Sequence, residues 1–155
     1  MALSVGDKVA PFSLPMDDGG TYSDADLHGK RTILYFYPKD DTPGCTKEAQ
    51  AFRDMIDAFQ SAGVAVIGVS TDSVASHRKF KAKHGLNFPL LADEARNLAE
   101  AFGVWVEKSM YGKKYMGMER ASFLIDEVGV LRQVWRKVKV PGHADACLSA
   151  AKALA

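Results

Sequence analysis

The chain has 155 residues, of which 47% are hydrophobic and 25% are charged, proportions typical of a folded globular protein. We therefore expect one domain over residues 1–155. The formal net charge of +1 leaves no basic excess for binding nucleic acid or a membrane surface, and we expect neither partner. No stretch has the apolar length needed to cross a bilayer, and the N-terminal residues lack the basic and apolar regions of a secretory signal, so we expect a cytoplasmic protein.

The first half of the chain alternates between strand-like and helix-like patterns. The stretch Lys8–Thr21 is rich in proline and glycine and predicts short strands joined by a hairpin. Residues 32–37 are a β-branched and aromatic run that predicts a buried strand. Apolar residues then recur at helical spacing at Phe52, Met55, Ile56 and Phe59. They predict one amphipathic helix that ends at Gly63.

The second half predicts further strands and helices, in the order strand 64–70, helix 73–84, short strand 90–92, short helix 94–102, antiparallel strands 122–126 and 130–138, and a last helix from His143 to the chain end. Residues 111–118 predict a loop. The order indicates an α/β protein whose mixed sheet is flanked by helices. We expect a thioredoxin-like fold with strands added at the N-terminus and an insertion in the centre.

Cys45 lies where the strand 32–37 gives way to the first helix, at the edge of an open sheet where ligands usually bind. With Thr42 as the N-cap, Pro43 is the first helical residue and Cys45 the third. A side chain there faces unpaired backbone amides and the positive end of the helix dipole, which favour a thiolate. Gly44 leaves room for a small substrate to approach the sulfur.

A purely structural role is the alternative for this cysteine. Free cysteines are commonly buried, and Cys45 shares one helical face with Phe52 and Phe59. The N-cap, the proline, the glycine and the strand-to-helix position nevertheless all agree with a reactive thiol. We therefore expect Cys45 to be a nucleophile.

The segment Pro38–Glu48, PKDDTPGCTKE, resembles the active-site segment of the peroxiredoxins. Its TPGCT-x-E form is similar to the bacterioferritin comigratory protein, or peroxiredoxin Q, subfamily. The likeness spans nearly the whole chain and includes residues 6–12, 35–38, 68–72, 102–105 and 120–126.

This resemblance implies a thiol peroxidase that reduces hydrogen peroxide and organic hydroperoxides through a cysteine sulfenic acid. It implies that Cys45 attacks the peroxide and binds a peroxide oxygen through its backbone N–H. Thr42 would orient the peroxide through its hydroxyl, and Pro43 would shield the pocket from water. The family's pocket arginine corresponds to Arg120, which would hold the peroxide and favour the thiolate.

Two of these residues have simpler alternative roles. From composition alone, Arg120 is more commonly a surface ion-pair partner. Glu48 could brace Arg120, or it could be a first-turn partner of the helix dipole.

The regeneration of Cys45 departs from the subfamily pattern. Many members carry a resolving cysteine five residues after the first, where this chain has Gln50, or about one helix later, where it has Lys81. The other thiol here is Cys147. It is either an inert residue on the inner face of the last helix, or it resolves the sulfenic acid after local unfolding or across a dimer. Cysteines more than about 7 Å apart at Cα cannot bridge without backbone movement, so we favour the inert role and a one-cysteine cycle.

The expected partners are a hydroperoxide and a reductant, which could be thioredoxin, glutaredoxin or a low-molecular-weight thiol. We expect a monomer or weak dimer and no cofactor. Metal-ligand spacing is absent among the four histidines, which we expect to be solvated or packed in the core: His28, His77, His84 and His143. A disulfide oxidoreductase needs a second cysteine close to the first, and residues 46–48 provide none. A non-enzymatic redox sensor or chaperone-like module using the same cysteine is the alternative function.

Overall fold

A computed structural model describes residues 3–154 of the chain. Its strands are β1 (Ser13–Pro15), β2 (Thr21–Ser23), β3 (Arg31–Phe36), β4 (Val64–Ser70), β5 (Leu90–Ala92), β6 (Trp105–Met110), β7 (Lys113–Met118), β8 (Ala121–Ile125) and β9 (Leu131–Trp135). Its α-helices are α1 (Pro43–Asp54), α2 (Ile56–Ser61), α3 (Val74–His84), α4 (Asn97–Ala101) and α5 (His143–Ala153). A short 3₁₀ helix, Asp24–Leu27, follows β2.

A mixed five-stranded sheet with the order β5-β4-β3-β8-β9 forms the centre of the molecule. Strands β3, β4 and β5 run parallel, and β8 is antiparallel to both β3 and β9. The β-branched and aromatic run of β3 forms the middle strand, where Ile33 lies opposite Val66 on one side and Leu124 on the other. This confirms the predicted α/β fold with a mixed sheet and flanking helices.

Alternate residues of β3 serve two hydrophobic cores, one on each face of the sheet. Ile33 and Tyr35 pack with residues of α1, α2, α3 and α5, including Phe52. Leu34 and Phe36 pack on the other face with the N-terminal segment and α4. Both faces of the central strand are therefore covered, which explains why its sequence is hydrophobic throughout rather than alternating.

The predicted helix ending at Gly63 is interrupted, which corrects the expectation of one continuous helix. Met55 leaves the helical conformation, with φ −106° and ψ 5°, and its N–H donates to the carbonyl of Phe52. A new helix, α2, then begins at Ile56. The break adjusts the helical phase so that Ile56 and Phe59 remain buried while Met55 is only half-buried.

The predicted loop at 111–118 is wrong, because β6 and β7 form an antiparallel hairpin there. Its turn residues, Tyr111 and Gly112, have φ values of +52° and +78°, as a two-residue turn of type I′ requires. Tyrosine is uncommon in this conformation, so Gly112 was the only local turn signal and did not suffice to predict the hairpin.

The other predicted elements are present with adjusted ends. The N-terminal hairpin is β1–β2, and α3 begins after its N-cap Ser73 and ends at His84, before its C-cap Gly85. The helix predicted over 94–102 is shorter, at Asn97–Ala101. The last helix starts at His143 but ends at Ala153, and residue 155 lies outside the described residues.

Candidate active site

Cys45 occupies the third position of α1, as the capping pattern predicts. Thr42 is the N-cap, with an extended backbone, and Pro43 is the first helical residue. The thiol is 1% exposed and packs into the core beneath α1. The chain thus places the sulfur at the helix N-terminus, where backbone amides have no intrahelical partner.

Arg120, two residues beyond β7, brings a positive charge to this sulfur. Its Nη2 lies 3.5 Å from Cys45 Sγ, and its Nη1 donates to Glu48 Oε1 at 2.7 Å. The side chain of Arg120 is mostly buried, and Glu48 is 1% exposed. Cys45, Glu48 and Arg120, the three residues singled out from the sequence, therefore lie in one place, with the guanidinium between the sulfur and the carboxylate.

Gly44 leaves space for the guanidinium of Arg120, and the space it was expected to leave for substrate stays a prediction. A Cβ at this position would lie 3.0 Å from Arg120 Nη2. Any larger residue would push Arg120 away from its position between Cys45 and Glu48.

Glu48 and Arg120 are electrostatically coupled. Burial raises the pKa of Glu48 to about 7, although Arg120 acts in the opposite direction. Burial by itself lowers the pKa of Arg120, but the charges of Glu48 and Cys45 raise it above its ordinary value. Arg120 therefore remains cationic at every physiological pH, while Glu48 exchanges its proton near neutrality.

Thr42 and Pro43 occupy the rim of the site. The Thr42 hydroxyl donates to the carbonyl of Lys39 at 2.8 Å and makes no capping hydrogen bond, so its oxygen keeps lone pairs that can accept a hydrogen bond from a ligand. Pro43 is exposed, at the outer surface of the first turn.

Tyr35 is a polar neighbour of the site that the sequence pattern does not single out. Within residues 3–154, its hydroxyl and Glu48 Oε2 are buried side-chain oxygens without a hydrogen-bond partner. Burial raises the pKa of Tyr35 well above its ordinary value, and the nearby charges of Glu48 and Cys45 add to the effect. A tyrosine in a buried strand looks like core packing, so only the fold reveals this proximity.

Cys147 lies on α5 and is fully buried. Its sulfur is 3.4 Å from His143 Nε2, which also lies 2.7 Å from the hydroxyl of Ser122. Burial raises the pKa of Cys147 to about 12, with a further contribution from the charge of Glu48. Burial likewise lowers the pKa of His143 to about 4, so this imidazole is neutral and Cys147 is a thiol.

Other residues occupy the two positions where the family resemblance would place a resolving cysteine. Gln50 lies on the half-buried side of α1. Lys81, on α3, forms an ion pair with Asp17, with 2.6 Å between Nζ and Oδ2.

The histidines are solvated or packed in the core, as expected, but His77 has partners that sequence spacing does not reveal. His77, Asp40 and Asp72 lie close together, although Asp40 and His77 are far apart in sequence. Both ring nitrogens of His77 already have partners, Asp40 Oδ2 at 2.7 Å and the carbonyl of Leu91 at 2.8 Å. The cluster is thus a hydrogen-bonded ion pair, and the imidazole has no lone pair to offer a metal ion.

Among residues 3–154, the helices are too short or too polar to span a membrane. Residues 5–134 match the model of the AhpC/TSA family. Bacillus subtilis peroxiredoxin Bcp is 49% identical over 152 residues, covering 98% of this chain and 97% of that protein. Peroxiredoxin Bcp of Xanthomonas campestris is 50% identical over 146 residues, covering 93% of this chain and 91% of the relative.

Solved structures give the same result. A structure of the Xanthomonas campestris bacterioferritin comigratory protein, concerned with its alkyl peroxide reduction activity, matches with a TM-score of 0.89 and 46% identity, covering 92% of this chain and 91% of that one. A cysteine-to-serine mutant of Xylella fastidiosa PrxQ matches with a TM-score of 0.94 and 38% identity, covering 99% and 98%. The chain therefore belongs to the AhpC/TSA family, as a peroxiredoxin of the Bcp or peroxiredoxin Q group.

Proposed function

We propose that this peroxiredoxin reduces hydrogen peroxide and organic hydroperoxides by a one-cysteine cycle, with Cys45 as the attacking thiolate. The observation that carries the proposal is the position of Cys45 Sγ, at the third residue of α1 and 3.5 Å from Arg120 Nη2. A thiolate needs positive charge and hydrogen-bond donors around it, and this position supplies both.

In the first step, a sulfur lone pair of Cys45 attacks the terminal oxygen of the hydroperoxide. The S–O bond forms as the O–O bond breaks, and the leaving alkoxide or hydroxide takes up a proton to become an alcohol or water. Cysteine is oxidised to sulfenic acid and the peroxide is reduced. Arg120 and the Cys45 backbone N–H stabilise the negative charge that develops on the oxygens.

The remaining residues have supporting roles in this proposal. Thr42 accepts a hydrogen bond from the peroxide O–H through its hydroxyl oxygen and so orients the substrate, which agrees with its own hydroxyl donating to the carbonyl of Lys39. Glu48 holds Arg120 through the contact at 2.7 Å. Pro43 limits water access from the outer surface.

An external thiol regenerates Cys45 in the second half of the cycle. It attacks the sulfenic sulfur, releasing water and forming a mixed disulfide, and a second thiol then reduces that disulfide and restores Cys45. A thiol with a pKa of about 12 is a poor nucleophile at neutral pH, which supports an inert Cys147. Thioredoxin, glutaredoxin or a low-molecular-weight thiol supplies the electrons.

We further propose that residues 1–155 act as one domain, as a monomer or weak dimer, in the cytoplasm. Both cysteines are free thiols, which suits a reducing compartment.

Peroxide consumption by the purified protein tests the proposal, with dithiothreitol and then with thioredoxin and its reductase as electron donors. We expect turnover with at least one donor and a loss of about a thousandfold or more in Cys45→Ser. Full activity in Cys45→Ser would refute the assignment of the nucleophile. Absence of turnover with every donor would instead favour a redox sensor or chaperone-like module.

A further inference from the structure

The loop before α1 is attached to α3 by a buried ion pair. Asp40 lies in this loop, five residues before Cys45, and His77 lies in the first turns of α3. His77 is fully buried and Asp40 is 8% exposed, with 2.7 Å between Nδ1 and Oδ2. A pair so fully removed from water needs complete hydrogen bonding, and it is strongly destabilising to remove one partner alone.

Every donor and acceptor of this pair is engaged. The Asp40 carboxylate also accepts from the hydroxyl of Tyr37 at 2.6 Å and from the hydroxyl of Ser76 at 2.8 Å. His77 Nε2 donates to the carbonyl of Leu91 at 2.8 Å, at the end of the sheet. A carbonyl can only accept, and a carboxylate already receiving two hydroxyl protons is an acceptor as well, so both ring nitrogens carry protons.

The charges around the ring agree with an imidazolium. Burial by itself lowers the pKa of His77, but Asp40 outweighs it, with a smaller contribution from Asp72, and the pKa lies above its ordinary value. The groups facing the ring are Asp40 and Tyr37 from the loop, the carbonyl of Leu91 from β5 and the charge of Asp72 after β4, and the hydroxyl of Ser76 on α3 contacts the Asp40 carboxylate.

The backbone of the loop is fastened at the same place. The N–H of Asp40 donates to Asp72 Oδ2 at 2.8 Å, and the hydroxyl of Ser70 donates to the same oxygen at 2.6 Å. The next residue, Asp41, has φ +58°, a left-handed conformation that costs energy for a residue other than glycine. The chain then enters Thr42, the N-cap of α1.

We propose that His77 is a positioning residue for the peroxidase reaction, acting through Asp40 to hold the loop 37–42 and hence the first turn of α1 in the geometry that Cys45 requires. This inference rests on the proposed function of Cys45. His77 itself touches neither the sulfur nor the substrate. Its role is to keep the N-cap, the free amides and the sulfur at fixed positions relative to Arg120.

The loop residue Asp41 provides a matched control, because it too contacts α3. Its carboxylate contacts Lys83 Nζ at 2.7 Å and His84 Nε2 at 2.9 Å, at the other end of α3. These contacts are exposed and screened by water, so they hold the loop weakly. His84→Gln therefore removes a histidine–aspartate contact to the same loop without disturbing the buried pair.

Three variants test the proposal: His77→Gln, Asp40→Asn and His84→Gln. We expect the second-order rate constant for oxidation of Cys45 by hydrogen peroxide to fall about tenfold or more in the first two and to stay within about twofold in His84→Gln. The double variant of Asp40 and His77 should be no slower than the slower single variant, because the two act as one unit. Rates in His77→Gln and Asp40→Asn that match His84→Gln would overturn the proposal.

Two further readouts separate positioning from general destabilisation. In the wild type, nitrogen NMR of the His77 ring should show two protonated nitrogens at neutral pH, and the oxidation rate should fall at alkaline pH as this ring loses its proton. His77→Gln should lack that alkaline decline. A neutral ring at neutral pH would overturn the proposal even if His77→Gln fails to fold. Turnover persisting in Cys45→Ser, measured in the same series, would instead refute the proposed function.

Discussion

Glu48 shows how one buried carboxyl can serve the site and still cost stability. It is 1% exposed, with one oxygen on Arg120 and the other without a partner among the described residues. Burial dominates its titration and raises its pKa to about 7 from 4.5. The folded protein therefore binds a proton that the unfolded chain releases between these two pH values.

The sign of the resulting pH dependence follows from linkage. The contribution of Glu48 to stability is fully present below pH 4.5 and is lost as the pH rises through about 7. In Glu48→Gln this loss should disappear. The unfolding free energy of the variant, relative to that of the wild type, should therefore be roughly 3 kcal/mol higher at pH 8 than at pH 4.5. Urea unfolding of both proteins at the two pH values measures the difference.

The difference between Glu48→Gln and the wild type is free of a second titration, that of His143, whose effect on stability has the opposite sign. The pKa of His143 is lowered to about 4 by burial, so stability gained from that residue is present above pH 6.5 and is lost as the pH falls through 4. His143 is the same in both proteins, and its contribution cancels. Stability curves that run parallel from pH 4.5 to pH 8 would contradict the account of Glu48.

At the scale of elements, the first turn of α1 carries the reactive cysteine, and only part of its geometry could be predicted from the sequence. Pro43 at the first position and Thr42 at the cap could be recognised from the sequence because helix starts have local chemical signals. The contact between Gly44 and Arg120 could not be recognised in this way, because Arg120 follows the β6–β7 hairpin and is far from Gly44 in sequence.

Gly44→Ala should lower the rate of Cys45 oxidation without lowering stability. The added Cβ would lie 3.0 Å from Arg120 Nη2 and displace the guanidinium by a few tenths of an ångström, whereas alanine favours a helix over glycine. We expect a rate decrease of about three- to tenfold by stopped-flow fluorescence. Lys47→Ala, at an exposed position of the same helix, is the control and should keep the wild-type rate. A Gly44→Ala protein that is less stable but equally fast would contradict this role of Gly44.

On α5, Cys147→Ala separates a packing role from a resolving role. We expect turnover with dithiothreitol and with thioredoxin within about twofold of wild type, and a loss of about 1–2 kcal/mol in unfolding free energy from the small cavity. Steady-state assays with both donors and urea unfolding measure the two effects. Loss of the thioredoxin-supported activity alone would identify Cys147 as the resolving cysteine.

At the scale of the whole molecule, local patterns predicted most of the fold and part of the site. Continuous hydrophobic runs such as β3 marked the central strands, and Ser73 and Gly85 marked the ends of α3. The β6–β7 hairpin was not predicted, because its turn places Tyr111 in a left-handed conformation that is unusual for tyrosine. The break in the helix at Met55 was not predicted either, because it depends on how the two helical segments pack against the core.

The site residues likewise fall into those that could be predicted from the sequence and those that could not. Cys45, Thr42, Glu48 and Arg120 could be picked out because their motifs resemble those of a known family. The Asp40–His77 pair could not, because the loop and α3 come together only when β3 and β4 pair side by side. Tertiary contacts of this kind leave no periodicity in the chain.

The most direct test of the account is the mass of the intact protein, together with its peptides, after one equivalent of hydrogen peroxide in the absence of thiols. A one-cysteine cycle predicts a monomer that has gained one oxygen atom, located on the peptide containing Cys45 and trapped there by a sulfenic-acid reagent. The loss of two hydrogens through a Cys45–Cys147 disulfide, a crosslinked dimer, or an oxygen located on Cys147 would contradict it.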